Sequence, residues 1–124
     1  MTDTITTTSD RSQALTKAAL RAAEILGLDQ ATFAKVLGVS PASISRMYTG
    51  EYRLNPDSKE WELATLLVRL YRGLDTMMAS DEVALRAWMQ QPNIDLDAIP
   101  TTQITHVTGL VQAVAYVDAY RVRA

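Results

Sequence analysis

Apolar side chains recur along the chain at about every third or fourth position, and no stretch alternates apolar with polar residues for long. The pattern predicts helices and no strands. A first helix is expected over about Ser12 to Leu26, with Leu15, Ala19, Ala22, Ala23 and Leu26 on one side and Gly27 at its C-terminal cap. A second is expected over Gln30 to Leu37, between Asp29 as N-cap and Gly38. A third starts at Ser40-Pro41 and fades near Tyr48 to Gly50. Proline suits that position because a first-turn N–H has no helical partner to lose. Thr49 to Lys59 reads as a loop, broken by Gly50 and Asn55-Pro56. The fourth helix, about Asp57 to Met78, is long, and its apolar residues from Trp61 to Leu74 cover more than one stripe. Such width suits a helix buried on two sides. A fifth helix is expected over Asp81 to Gln90 with Ser80 as its cap, stopped by Pro92-Asn93. A short helix comes next over Thr101 to His106, and a last one runs from Gly109 to about Arg121.

The expected fold class is therefore all-α. The length of 124 residues suits one domain, or two very small ones sharing a core. The chain has no cysteine and a single histidine, His106, which excludes disulfides, cysteine-based zinc sites and paired-histidine sites. No metal or cofactor site is expected. Met1 to Thr8 holds five threonines and lacks the basic start and apolar stretch of a signal peptide, so it reads as a mobile tail. No apolar run approaches the roughly 20 residues of a membrane span, and a cytoplasmic location without membrane association is expected. The net charge of −2 argues mildly against nucleic acid as a partner, but the charge is divided. Residues 11–59 hold seven basic and four acidic side chains, a net of +3, whereas residues 60–124 hold five and eight, a net of −3.

The basic part carries the first constellation. Between Gln30 and Tyr48, the residues Phe33, Leu37, Val39, Ile44 and Met47 supply a small core, Ala34 is small where two helices would cross, and Gly38 lies in the turn. This is the spacing of a helix-turn-helix. The second helix begins at Ser40, and its outer positions read as Ala42, Ser43, Ser45 and Arg46, short or basic side chains that suit base edges and phosphates in a major groove. Gln30 opens the preceding helix, where its side chain and the free backbone N–H groups are placed to hold a phosphate. Gln30, Ser40, Ala42, Ser43, Ser45 and Arg46 are the candidate DNA-binding residues. The plain alternative is three packed helices with a solvated polar face. Asp95 and Asp97 read as an acidic solvated loop and not as a catalytic pair, because no histidine or arginine supports them.

The run Gln-x-x-Phe-Ala-x-x-Leu-Gly-Val-Ser-x-x-x-Ile-Ser-Arg over Gln30 to Arg46 resembles the helix-turn-helix of the Xre family of phage-repressor-type regulators. The downstream residues narrow the resemblance. Leu54-Asn55-Pro56-Asp57-Ser58 leads into Trp61-Glu62-Leu63-Ala64 and LLVRLYRGLD from Leu66 to Asp75. Then come Asp81-Glu82-x-Ala84, Trp88-Met89-x-x-Pro92-Asn93 and, near the end, Thr108-Gly109-Leu110 with Tyr116-Val117-Asp118. This order is similar to that of the Xre/MbcA/ParS antitoxins of toxin–antitoxin pairs. The resemblance implies a RES-type, NAD-degrading toxin as partner, inhibited by direct occlusion of its active site, and repression of the antitoxin's own operon by a homodimer on operator DNA. With a single histidine, no cysteine and no Gly-rich phosphate loop, neither an enzyme nor a small-molecule substrate is expected.

The expected division is a tail over 1–10, a helix-turn-helix DNA-binding domain over 11–56 and a toxin-binding domain over 57–124. Trp88, Asn93, Tyr120, Arg121 and Arg123 are the toxin-facing candidates, although Trp88, like Trp61, also sits at core spacing. The two arginines are the sharpest of these, because a guanidinium fork can pair with an active-site carboxylate at two points. The broad helix face over 61–74 is the candidate dimer surface. A stand-alone helix-turn-helix regulator with no toxin partner is the rival expectation.

Overall fold

In the computed structural model, the backbone is described for residues 2–123 and the side chains for residues 10–122. The elements are α1 (Thr2–Leu26), α2 (Gln30–Leu37), α3 (Pro41–Thr49), α4 (Lys59–Met77), α5 (Glu82–Gln90), α6 (Pro100–Gln103) and α7 (Val107–Arg123). Among the described residues the one strand-like pairing is an isolated bridge between Asn93 and Ala98. The all-α expectation holds. α1 begins at Thr2, well ahead of Ser12, so the segment read as a tail has a helical backbone; the side chains of residues 1–9 lie outside the described residues.

Local chemistry sets most helix ends. The Asp29 carboxylate accepts the Thr32 N–H at 2.7 Å, and Ser40 Oγ accepts the Ser43 N–H at 3.1 Å. Gly38 and Gly50 end α2 and α3 at φ 70° and 83°, the left-handed conformation that costs glycine least. The cap of α5 is Asp81 and not Ser80: its carboxylate accepts the Ala84 N–H at 3.1 Å. The reason is upstream, where Ala79 and Ser80 both turn at positive φ, leaving Asp81 as the first extended residue. α4 starts two residues later than expected because Asn55 organises a turn ahead of it, accepting the Asp57 N–H on its side chain and the Ser58 hydroxyl on its carbonyl.

α4 is the centre of the molecule. Ala64, Leu67, Val68, Leu70, Gly73 and Leu74 are buried along it, and it packs against α7, α1 and α2. Leu67, Leu70 and Leu74 are fully enclosed, each contributing about 1.5–3 kcal/mol of apolar burial. The buried side chains of α1 to α5, Ile104 and α7 join in one hydrophobic cluster. α7 comes close to α4 at Gly73, where a Cβ would run into Val117 Cγ1. The glycine is there for approach, not for a turn.

Two polar devices hold the remaining connections. Ser12 Oγ donates to the Leu54 carbonyl at 2.6 Å, while the Leu54 N–H donates to Thr16 Oγ1 at 3.0 Å. Both backbone groups of a buried loop residue are thereby satisfied by α1. Arg86 of α5 donates from Nε to the Ile25 carbonyl at 3.1 Å, answering the carbonyl end of α1 with a positive charge. Farther along, Tyr52 shares its hydroxyl proton between the two Glu60 oxygens, at 2.5 and 2.7 Å, tying the loop after α3 to the first turn of α4.

Two outcomes are expected. Gly73→Ala should destabilise the fold by about 1–3 kcal/mol, since overpacking outweighs the gain in helix propensity, and the loss should shrink in a Val117→Ala background. Urea unfolding of the four variants reads this directly; equal losses in both backgrounds would mean the close approach is not the cause. The second concerns pH. Burial pushes the Tyr52 phenol up to about 12, and its bond to Glu60 adds to the shift. A neutral phenol favoured by folding contributes stability that is complete below the free value of about 10 and fades as pH rises toward 12. Tyr52→Phe should therefore remove the last-titrating tyrosine from an ultraviolet absorbance titration and flatten the stability loss in that window.

Candidate nucleic-acid interface

α2 and α3 pack through Phe33, Ala34, Val36 and Leu37 on one side and Ile44 and Met47 on the other, all buried. That packing turns the opposite face of α3 outward. Ala42, Ser45 and Arg46 are exposed on it, with Ser40 exposed at its start. Ser43 is not: it is buried, which corrects the expectation of an outer position. Its hydroxyl lies 3.0 Å from Ser40 Oγ and accepts from Arg46 Nη2 at 3.2 Å. Ser43 thus joins the helix cap to the arginine, and the guanidinium is held against the first turn of α3 instead of swinging freely.

Gln30 is exposed at the start of α2, where its Oε1 accepts from Ser45 Oγ at 3.3 Å. The amide oxygen is spent on α3, and the two N–H donors are what it offers an acceptor. The expected phosphate seat on the bare N-terminus of α2 is altered by Asp29. That carboxylate already takes the Thr32 N–H, and this bond holds it below its ordinary pKa, so a negative charge sits at the helix start. Cationic help comes from the far end of α3, where Lys17, Tyr48 and Arg53 line a cleft of about 290 Å³. Tyr48 is 42% exposed, which suits a contact with a sugar–phosphate backbone. Lys17 belongs to α1, outside the helix-turn-helix, and only the packing of α1 brings it here.

The C-terminal candidates fall into two places. Trp88 stacks on Tyr116 with ring centres 6.4 Å apart, both half-buried. Tyr116 donates to Asp95 at 2.7 Å, and Asn93 braces the same loop, its Oδ1 accepting the Leu96 N–H and its backbone pairing with Ala98. Tyr120 is exposed one turn along α7 from Tyr116. Trp88, Asn93 and Tyr120 therefore share one corner. Ile94, almost wholly exposed at 96%, crowns it. The spacing gives no reason to single it out, since the acidic loop carries two apolar side chains, Ile94 and Leu96. Arg121 lies elsewhere, beside Gly73 on α4, and the side chain of Arg123 lies outside the described residues.

Among the described residues no group of histidine or acidic side chains is placed to hold a metal ion, and no helix is long and apolar enough to cross a membrane. No curated protein matches the chain. The family model of the antitoxin Xre-like helix-turn-helix domain does, over residues 7–69, from the first turns of α1 into the middle of α4. With half of its length matched and the recognition helix built as described, the chain belongs to the antitoxin Xre-like helix-turn-helix family, a family of DNA-binding regulators of the antitoxin kind.

Proposed function

We propose that this chain is the antitoxin of a RES-type, NAD-degrading toxin: it occludes the toxin's active site by direct binding and represses its own operon by placing α3 in the major groove. The observation that carries the DNA half is the Ser40–Ser43–Arg46 chain of hydrogen bonds, which presents a positioned guanidinium on the exposed face of α3. A pre-set fork loses less freedom on pairing with guanine or phosphate than a loose side chain does. Residues 11–56 form the DNA-binding part and residues 57–124 the toxin-facing part, which acts in the cytoplasm.

A single helix-turn-helix makes few contacts, so operator binding uses two copies whose recognition helices stand about 34 Å apart. The outer flank of α4 is suited to join them. There Trp61, Leu63 and Leu66 of α4 and Val107 of α7 line an apolar trough of about 730 Å³. The toxin half rests on the corner formed by Trp88, Asn93 and Tyr120 with exposed Ile94, and on the exposed end of α7. Mechanism here is steric: the chain covers the cleft and does no chemistry in it.

Arg46→Ala should weaken operator binding. A loss of about 1–3 kcal/mol confined to one base position identifies a guanine contact, and a uniform loss with a salt slope lower by about one identifies a phosphate contact. An unchanged gel shift would remove Arg46 from the interface. The toxin half is tested by co-expression with a RES-type toxin encoded in the same operon. The full chain should co-purify with it and restore growth. Deleting residues 119–124, which carry exposed side chains at Tyr120 and Val122, should release toxicity while circular dichroism stays unchanged. Full protection by the shortened chain would rule out the role of Arg121 and Arg123, and failure of the full chain to bind would leave a stand-alone DNA-binding regulator.

A further inference from the structure

A groove of about 680 Å³ runs between α1, α4 and α7, away from α3; it shares Arg121 with the proposed toxin contact and Trp61 with the proposed dimer trough. Arg11, Arg69, Arg72 and Arg121 all line it. They are four of the twelve lysines and arginines of an acidic chain, drawn from three helices to one place. Compensation is sparse. Asp118 pairs with Arg69 at 2.6 Å, but among the described residues no ion pair reaches Arg72 or Arg121. Arg69 and Arg72 stand three apart on α4, a spacing at which like charges repel. Gly73 adds to the crowding, because its missing Cβ lets α7 come down until Arg121 Cδ is 3.6 Å from where that atom would be.

The groove is not simply cationic. Leu15, Ala18 and Val68 supply apolar surface, and Trp61 forms a wall, with the Arg11 guanidinium 5.8 Å from the ring centre. Its volume falls in the range of small-ligand sites, about 300–1,000 Å³. It also faces away from the helix-turn-helix. Arg11, Ala14, Leu15 and Ala18 of α1 line it, whereas Gln13, Thr16, Lys17 and Leu20 line the cleft beside α3. At about 3.6 residues per turn, those two sets occupy opposite sides of α1. A duplex held on α3 does not reach the arginine groove.

We propose that this groove binds a nucleotide, its phosphates held by Arg69, Arg72 and Arg121 and its base laid against Trp61. Guanidinium forks match phosphate oxygens in pairs, and an aromatic face accepts any base by stacking. A bare phosphate would neutralise the arginines and leave the Trp61 wall unused, and a nucleoside would do the reverse. The ligand that answers both features carries phosphate and ring together. It acts as a bound effector: the lining hydroxyls of Thr65 and Thr76 donate to the Trp61 and Arg72 carbonyls of their own helix, and no carboxylate or imidazole in the lining stands by to activate them.

Trp61 reports on its own site. In a Trp88→Phe chain it is the one remaining tryptophan, and its fluorescence can be followed as ATP, adenosine or tripolyphosphate is added at low salt. ATP should quench it with saturation, tripolyphosphate should displace ATP with little quenching of its own, and adenosine should bind far more weakly. Replacing Arg72 and Arg121 together by alanine should weaken ATP by at least about tenfold, while Arg46→Ala leaves it unchanged. In the natural chain, ATP should raise the melting temperature, and the arginine variant should lose that rise. Absence of saturable quenching and of the thermal shift would overturn the proposal, as would undiminished ATP binding by the arginine variant. Tight tripolyphosphate binding without any ATP effect on Trp61 would also overturn it, leaving a polyanion groove that does not recognise a base.

Discussion

Everything in this fold hangs on α4 being apolar on two sides. One side is covered by α1 and α2, the other by α7, and no other element touches both halves so extensively. A helix with a single apolar stripe would leave one of those partners unsupported. The close crossing at Gly73 sharpens the constraint, because it fixes how deep α7 sits. The packing that stabilises the molecule is thus also what sets the position of α3 relative to the C-terminal helices.

The helices were largely legible in the sequence because their ends are written in local chemistry. Asp29, Ser40, Gly38 and Gly50 act within three or four residues of themselves, and the spacing of Leu67, Leu70 and Leu74 declares the buried face of α4. What the sequence hid is what depends on the path of the chain. Ser80 reads as the cap of α5 from sequence, but Ala79 and Ser80 both turn left-handed and pass that role to Asp81. Ser43 looked outward by its polarity, yet a small hydroxyl can be buried cheaply when a cap oxygen and a guanidinium both meet it. The arginine groove was invisible for a plainer reason. Its four arginines spread over more than a hundred residues of chain, and among them only Arg69 and Arg72 share an element.

Average charge proved a poor guide to the surface. The chain is acidic overall, yet cationic side chains collect in two places on opposite sides of α1. Beside α3 they are dispersed and solvated, as suits a rod of evenly spaced phosphates. In the groove they converge on a concave, partly apolar bed, as suits a compact anion. Geometry, more than net charge, separates the two kinds of recognition proposed.

The stitch at Leu54 carries a consequence of its own. Because Ser12 and Thr16 take both backbone groups of that residue, the link between α3 and α4 has no slack. The recognition helix is therefore a fixed arm, not a hinged one. If two copies join through α4, as proposed, the separation of their arms is built in like the jaw width of a caliper. Under that proposal, a change in operator spacing would come from rebuilding that stitch or the joining surface, since bending the chain cannot supply it.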